Sequence, residues 1–358
     1  MNENEIAEKA WKQFEIDNDA DAFFSNVSSV GYPFGFRLPY YTALVLHRKG
    51  RDKEAAEHIA ISIKHFEGIV KNNRCDKNCN ARCGNLLYRF GSIINYNIGN
   101  KGQVATYNIK GTQYDPMPSD YNDKDFVNVF SFRRYNQYSI QDLTNNEITV
   151  VCPSEMNDPF DSLYNLYRDI GNLEEICPAK EDIPGFHDIF NYFRVRSFVK
   201  GENNRNLKNI LMWSHYADGH KGFCIKYHLS KHFINQPTPN GYLWLKSINY
   251  TNKPIAVNCE KLDDNTAFST KNNRWCYEHE VRLISYDVST SSPFLAQPLD
   301  NDSFIDTIYF GYKCDANTKR TIYNIIKRSN PHCSFKEMVI DTKKNVYNLL
   351  IHKYYPDV

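Results

Sequence analysis

Three short segments of the 358-residue chain concentrate side chains fit for acid–base or ligand chemistry. The richest in carboxylates is Trp275-Cys276-Tyr277-Glu278-His279-Glu280-Val281-Arg282-Leu283-Ile284. Read as a strand it alternates, with Glu278, Glu280 and Arg282 on one face and Tyr277, His279, Val281 and Leu283 on the other. Carboxylates two residues apart on a strand lie about 7 Å apart. At that spacing one can act while the other orients, and Arg282 can hold either. The plain alternative is a solvated face with an ion pair of little energetic value. The second segment is Leu211-Met212-Trp213-Ser214-His215-Tyr216-Ala217-Asp218-Gly219-His220-Lys221-Gly222-Phe223. It reads as a helix ending at Gly219, a tight turn, and a strand alternating through Phe223, Ile225 and Tyr227. His215 can serve as acid, base or ligand, and His215 and Tyr216 are its first suspects. A histidine beside Trp and Tyr also fits a hydrogen-bonded half-core residue. The spacing of His215, His220 and His228 matches no metal motif. The third segment is Asn157-Asp158-Pro159-Phe160-Asp161. Asp158 fits a helix N-cap, Pro159 the first helical position and Asp161 the first turn. A well-made helix start explains it; an N-terminus offering free N–H groups to an anion is the functional reading, which the two Asp oppose.

These segments need a scaffold. The first hundred residues read as helical, with Ile6, Ala7, Ala10, Trp11 and Phe14 at helical spacing. A helix over 38–48 ends at Gly50, and Asp52 opens another with Ala56, Ile59, Ile63, Phe66 and Val70 on one face. A third helical stretch covers 86–96. Helix, glycine turn, helix fits tetratricopeptide-like hairpins or a small bundle, and no clean 34-residue period decides between them. Two Pro and four Asp make 111–125 the linker. Strand-like runs follow at 127–135, 148–152, 193–199, 223–228, 281–286 and 305–310, then a helix at 318–327 and a hairpin from 335–341 and 347–354. The expected fold is α+β: a mixed or antiparallel sheet domain with flanking helices at 126–358, preceded by a small all-α helical domain at 1–110.

Composition limits the partners. Lys plus Arg is 43 and Asp plus Glu is 42, so no global field draws in nucleic acid, although a local basic groove stays open. The acidic start carries no signal-peptide pattern, and no apolar run approaches the ~18 residues of a membrane span. A cytoplasmic protein without membrane contact is expected. Seven of the ten cysteines are scattered singly, as reduced core residues would be. Cys75, Cys79 and Cys83 would lie along one helix stripe, with His65 as a candidate fourth ligand. Packed thiols are the expectation there and a structural metal is not.

The order of motifs carries a resemblance. Arg134-Tyr135, Asn157-Asp158-Pro159-Phe160-Asp161, Arg196-Ser197-Phe198, Met212-Trp213-Ser214-His215-Tyr216-Ala217, Lys221-Gly222-Phe223-Cys224, Trp275-x-Tyr277-Glu278-x-Glu280-x-Arg282 and Ile308-Tyr309-Phe310-Gly311 follow one another. Over about 127–355 this resembles a bacterial family known as domain of unknown function 2971. That resemblance implies a bacterial cytosolic protein with variable attached domains and no settled activity. A looser similarity of order is to mono-ADP-ribosyltransferases, which place Arg or His on an early strand, Ser or Tyr on a middle strand, and Glu-x-Glu on a late one. It implies NAD as co-substrate. Glu280 would stabilise oxocarbenium character, Glu278 would activate the acceptor, and Ser197 would orient the glutamate. Arg134 would hold phosphate, and Tyr135, Trp213 or Tyr216 would stack on nicotinamide. The mixture of Arg134, Lys221 and Arg282 with Asp158, Glu278 and Glu280 suits a compact phosphate-bearing or zwitterionic small molecule, a nucleotide above all. A toxin or phage-defence effector fits by analogy. Two rivals stand beside this reading. Asp158, Asp161, His215, Glu278 and Glu280 can hold Mg²⁺ in a nuclease. Alternatively the chain is a non-enzymatic sensor whose N-terminal helices bind a protein partner.

Overall fold

The computed structural model of the chain describes residues 3–28, 30, 35–72, 77–114, 120–121, 123–156, 189, 191–252, 268–343 and 347–356. Helices α1 (Glu3–Asp17), α2 (Ala20–Val27), α3 (Arg37–Arg48), α4 (Asp52–Lys71), α5 (Lys77–Asn97) and α6 (Lys101–Tyr114) form an N-terminal layer. Local chemistry sets their ends. The Asp19 side chain accepts the Ala22 N–H to cap α2. Gly50, at φ 72°, closes α3 in a left-handed conformation that glycine adopts without strain. The apolar stripe of α4 buries Ala55, Ile59, Ile63 and Phe66. Helix α6 runs to Tyr114, so residues 111–114 of the expected linker are helical, and 115–119 and 122 lie outside the described residues.

Then follow β1 (Phe126–Arg133), α7 (Gln137–Asn145), β2 (Glu147–Val151), β3 (Phe193–Lys200), α8 (Asn204–Leu207), α9 (Ile210–Tyr216), β4 (Phe223–Ser230), β5 (Asn235–Thr238), β6 (Gly241–Ser247), β7 (Asn249–Thr251), β8 (Thr270–Asn272), β9 (Glu280–Asp287), β10 (Phe294–Pro298), β11 (Phe304–Phe310), α10 (Ala316–Ser329), β12 (Ser334–Ile340) and β13 (Leu349–Lys353). The main sheet has eleven strands in the order β13-β12-β11-β4-β1-β3-β9-β6-β5, with β2 against β3 and β10 against β2. It is mixed: β11 and β12 are parallel across the α10 crossover, and β1 with β4 or β3 with β9 shows the antiparallel pairing of the rest. The architecture is α+β. Among the described residues no helix is long and apolar enough to cross a membrane.

Two departures from the sequence reading shape the site. Strands β5, β6, β7, β8 and β10 were not among the expected runs; β5, β7 and β8 are short and polar, Pro237 interrupts β5, and β10 is short and ends at Pro298. Residues 273–278 form a 3-10 turn, not a strand, and the strand begins only at Glu280. Helix α9 likewise stops at Tyr216, three residues before Gly219.

Packing follows the strand faces. Cross-strand partners share a face, and the β3–β9 register pairs Phe193 with Tyr286, Val195 with Ile284, Ser197 with Arg282 and Val199 with Glu280. Phe193, Val195, Ile284 and Tyr286 belong to one apolar cluster with the cores of α1 to α6. The Arg89 guanidinium of α5 lies over the Phe193 and Tyr286 rings at 4.9 and 4.6 Å. Val199, with Phe130 and Phe132, packs instead against Leu207, Met212 and Trp213 of α8 and α9. Between these two apolar patches the same face carries Ser197, Glu280 and Arg282. The opposite face is covered by Leu143 of α7 and Ile322 and Ile326 of α10.

Candidate functional site

The edge of β3 is shared by two strands. At one end β1 pairs with it at Val129–Lys200 and Phe130–Val199; at the other, β2 pairs with it at Val151–Val195. Between these ladders, at Arg196, Ser197 and Phe198, the edge has no strand partner among the described residues. The sheet therefore forks, and a cavity of about 410 Å³ opens in the fork, lined by Phe130 to Arg133, Val195 to Val199, Tyr216, Lys271, Trp275, Glu278 and Glu280 among others. That volume lies within the range of small-molecule sites, roughly 300–1,000 Å³. The Arg196 Nη2 donates to Ser131 Oγ across the gap at 2.9 Å.

One wall is a buried ion cluster. Lys271 Nζ, on β8, donates to Glu278 Oε2 at 2.7 Å and to Glu280 Oε2 at 2.9 Å. Arg282 Nε donates to Glu280 Oε1 at 2.7 Å, and its Nη1 to the Phe268 carbonyl at 2.9 Å. The Tyr216 hydroxyl donates to Glu278 Oε1 at 2.5 Å. Glu280 is 3% exposed and Arg282 0%. Glu278 reaches this cluster because His279, at φ 46°, turns the chain left-handed between the 3-10 turn and β9. Asn209 Nδ2 of the α8–α9 junction holds that turn through the Tyr277 carbonyl at 2.9 Å.

The two carboxylates differ in proton preference. Burial alone would raise the Glu280 carboxyl, but Arg282 and Lys271 outweigh it and hold it well below the usual range. Burial raises the Glu278 carboxyl, and Lys271 and the Tyr216 hydroxyl offset this only in part. Burial, with Glu278 beside it, also keeps the Tyr216 phenol protonated. Pairs of acids pushed apart in this way are the pattern of acid–base sites.

The other wall holds unused hydrogen-bonding capacity. Arg196 Nε is buried with no hydrogen-bond partner. Ser197 Oγ is buried without a well-formed hydrogen bond, though it is close enough to Glu280 to help lower that carboxyl. Arg133 Nη1 sits 3.1 Å from Asp142 Oδ2 as an ion pair, with poor hydrogen-bond alignment. A buried donor on a cavity wall is suited to hydrogen-bond a polar ligand group.

Of the residues singled out from sequence, Ser197, Tyr216, Glu278 and Glu280 line this cavity, and Arg282 stands behind Glu280. Others lie elsewhere. Arg134 and Tyr135 follow the end of β1 and are exposed, Tyr135 by 46%. Arg133, one residue earlier, is the one that lines the cavity. Trp213 is 0% exposed, with its indole N–H on the Leu207 carbonyl at 2.7 Å, so it cannot stack on a ligand. Trp275 is the tryptophan on the cavity wall. His215 is exposed and contacts the Tyr277 hydroxyl at 3.1 Å, outside the lining, and Lys221 is exposed. Asp158, Asp161 and Cys75 lie outside the described residues, as does the side chain of Cys79. Cys83 is buried, and His65 Nδ1 is hydrogen-bonded to the Gly35 carbonyl at 2.8 Å. Lys271 and Arg133 were missed, and Arg196 was quoted within a motif but given no role. Each is an ordinary basic residue in sequence, and only the β1–β3 fork and the β7–β8 pair give them a place. Among the described residues no three His, Cys, Asp or Glu side chains come together to hold a metal ion. The Lys271 ammonium lies between the two carboxylates that a Mg²⁺ would need.

No curated protein and no solved structure matches the chain. Residues 212–283 match the model of a family described as protein of unknown function (DUF2971). That stretch runs from α9 to β9 and contains Tyr216, Lys271, Glu278, Glu280 and Arg282, while Arg133, Arg196 and Ser197 lie before it. Over these residues, the ones that build the ion-cluster wall, the chain resembles the DUF2971 family.

Proposed function

We propose that the forked-sheet cavity binds NAD and cleaves its nicotinamide–ribose bond, in the manner of an ADP-ribosyltransferase. The observation that carries this is the pairing, in one cavity, of a strongly ionised carboxylate, with Ser197 beside it, and a raised one, opposite a buried Arg196 whose Nε has no hydrogen-bond partner. In this reading the C1′–N bond breaks with its electron pair leaving on nicotinamide, which departs neutral. Glu280 stabilises the positive charge that develops on the ribose. An acceptor nucleophile adds at C1′ and gives its proton to Glu278, whose raised carboxyl makes it the stronger base of the pair. Arg196 and Arg133 hold phosphate, the role the motif order had pointed to Arg134. Trp275 and Tyr216 supply aromatic faces for the nicotinamide or adenine ring. The helical layer docks or senses, and the sheet acts as the effector of a cytoplasmic bacterial toxin or phage-defence system.

Binding tests this reading directly. A non-cleavable NAD analogue titrated by calorimetry is expected to bind the wild-type chain. Trp275→Ala is expected to lose roughly 5- to 100-fold in affinity, the usual worth of base–aromatic stacking. Arg196→Leu is expected to lose roughly 10- to 100-fold, the usual worth of a charge-assisted hydrogen bond. Absence of binding by the wild type, or equal binding by all three, contradicts the reading.

A second reading is favoured by one observation: both Glu280 oxygens are already engaged, by Lys271 and Arg282. A carboxylate so paired also suits a non-catalytic ligand-sensing module. In that case the analogue binds, and Glu280→Gln changes no chemistry.

A further inference from the structure

We propose that Lys271 is the positioning residue that makes Glu278 and Glu280 a single working pair; this rests on the reading of the cavity as a glycosyl-transfer site. Two buried carboxylates that approach one another repel, and one of them then takes a proton unless a cation lies between them. Here one ammonium bonds both, at 2.7 and 2.9 Å. The two oxygens can be no farther apart than those lengths laid end to end. The small β7–β8 sheet, separate from the main one, delivers that ammonium. Its register pairs Tyr250 with Lys271, and the Tyr250 hydroxyl accepts the Glu280 N–H at 2.8 Å. The same two-stranded unit therefore grips the start of β9 by its backbone and both carboxylates by their charge. Lys271 Nζ also lies 5.2 Å from the centre of the Trp275 ring on the cavity wall.

Among the described residues, the charged and titratable groups around it come from several elements. From β9 come Glu280 and Arg282, and the guanidinium serves Glu280 and the Phe268 carbonyl. From the 3-10 turn comes Glu278, with Tyr277 next to it. From α9 and β7 come the phenols of Tyr216 and Tyr250, which burial keeps protonated and uncharged. His279 and His215 are exposed. Without the Lys271 charge, Glu280 keeps its bond to the Arg282 guanidinium while Glu278 loses the ammonium 2.7 Å away. Glu278 is then the group that takes up a proton, and it ceases to be a base.

The experiment is an infrared pH titration of the carboxylic C=O band in the full chain, with Glu278→Gln identifying the Glu278 band. Lys271→Met is expected to move the Glu278 midpoint to higher pH, and Lys271→Arg to leave it near the wild-type value. In the nicotinamide-release assay Lys271→Met is expected to lower kcat by about 10²-fold with KM little changed, since a general base contributes typically 10²–10⁴. Raising the pH is expected to restore part of that loss. An unmoved midpoint in Lys271→Met, or an Arg variant that behaves like Met, overturns the assignment. Should Lys271→Met fail to fold, Lys271→Gln takes its place in the same titration. If the midpoint moves but wild-type protein releases no nicotinamide, the glycosyl-transfer reading fails and the role of Lys271 stands. If nicotinamide is released and the midpoint does not move, the reverse holds.

Discussion

Glu280→Gln is expected to lower nicotinamide release by about 10²–10³-fold, the usual cost of losing one preorganised electrostatic partner of the transition state. The change is nearly isosteric, so the cavity keeps its shape. What goes is the negative charge against which Arg282 and Lys271 are neutralised. Arg282 is wholly buried and sits 2.7 Å from Glu280, so the variant removes a negative charge from beside a buried guanidinium. Breaking one side of a buried ion pair costs about 3–5 kcal/mol, which urea unfolding measures directly. The same interaction has a pH signature. The folded-state carboxyl of Glu280 is held down to about 2, against an ordinary value of 4.5. A depressed acid contributes stability that is fully present above its unfolded value and is lost as pH falls toward the folded one. Wild-type stability should therefore drop between about pH 4.5 and 2 by a component that Glu280→Gln lacks.

Gly222→Ala is expected to destabilise the chain by about 3 kcal/mol, the upper end of ordinary overpacking costs. Gly222 joins the turn after α9 to β4. Its N–H donates to the Ala217 carbonyl at 2.8 Å, and its own carbonyl accepts the Gly311 N–H at 2.9 Å. A methyl group there would overlap the Arg133 carbonyl oxygen, a backbone atom that cannot swing away, and would press on the Ala217 carbonyl at 3.1 Å. Relief requires the end of β1 to move, and Arg133 at that end lines the cavity. A loss of ligand affinity should therefore accompany the lower Tm. Gly219→Ala is the control. Gly219 has φ 59° with open space around it, so the added methyl costs only about 1 kcal/mol of backbone strain and leaves the cavity alone.

Much of this architecture is legible in sequence because the periodic segments are also the well-packed ones. The helices at 38–48 and 52–71 and strands such as β3, β4 and β11 each show an apolar pattern that the fold then buries. The β9 alternation correctly groups Glu280 with Arg282. It also groups Glu278 with them, and the structure does bring Glu278 to the same cluster, but from a 3-10 turn and through a left-handed residue at His279 that no pattern of residue types announces. Adjacent Arg133 and Arg134 look equivalent in sequence, but only the first is still within β1 beside the fork. Trp213 and Trp275 look equally able to stack; the apolar stripe of α9 buries the first and the 3-10 turn half-exposes the second. Lys271 sits in the polar run Thr270-Lys271-Asn272-Asn273 with nothing local to mark it. Its importance comes from pairing with Tyr250, and long-range register is not written in local composition.

The most direct test of the central claim is release of labelled nicotinamide from NAD by the purified full chain, measured with and without a cell extract as a source of acceptor. Release by wild-type protein, lost in Glu280→Gln while that variant still binds the non-cleavable analogue, is the predicted result. No release by the wild type under either condition, or equal release by Glu280→Gln, would contradict it.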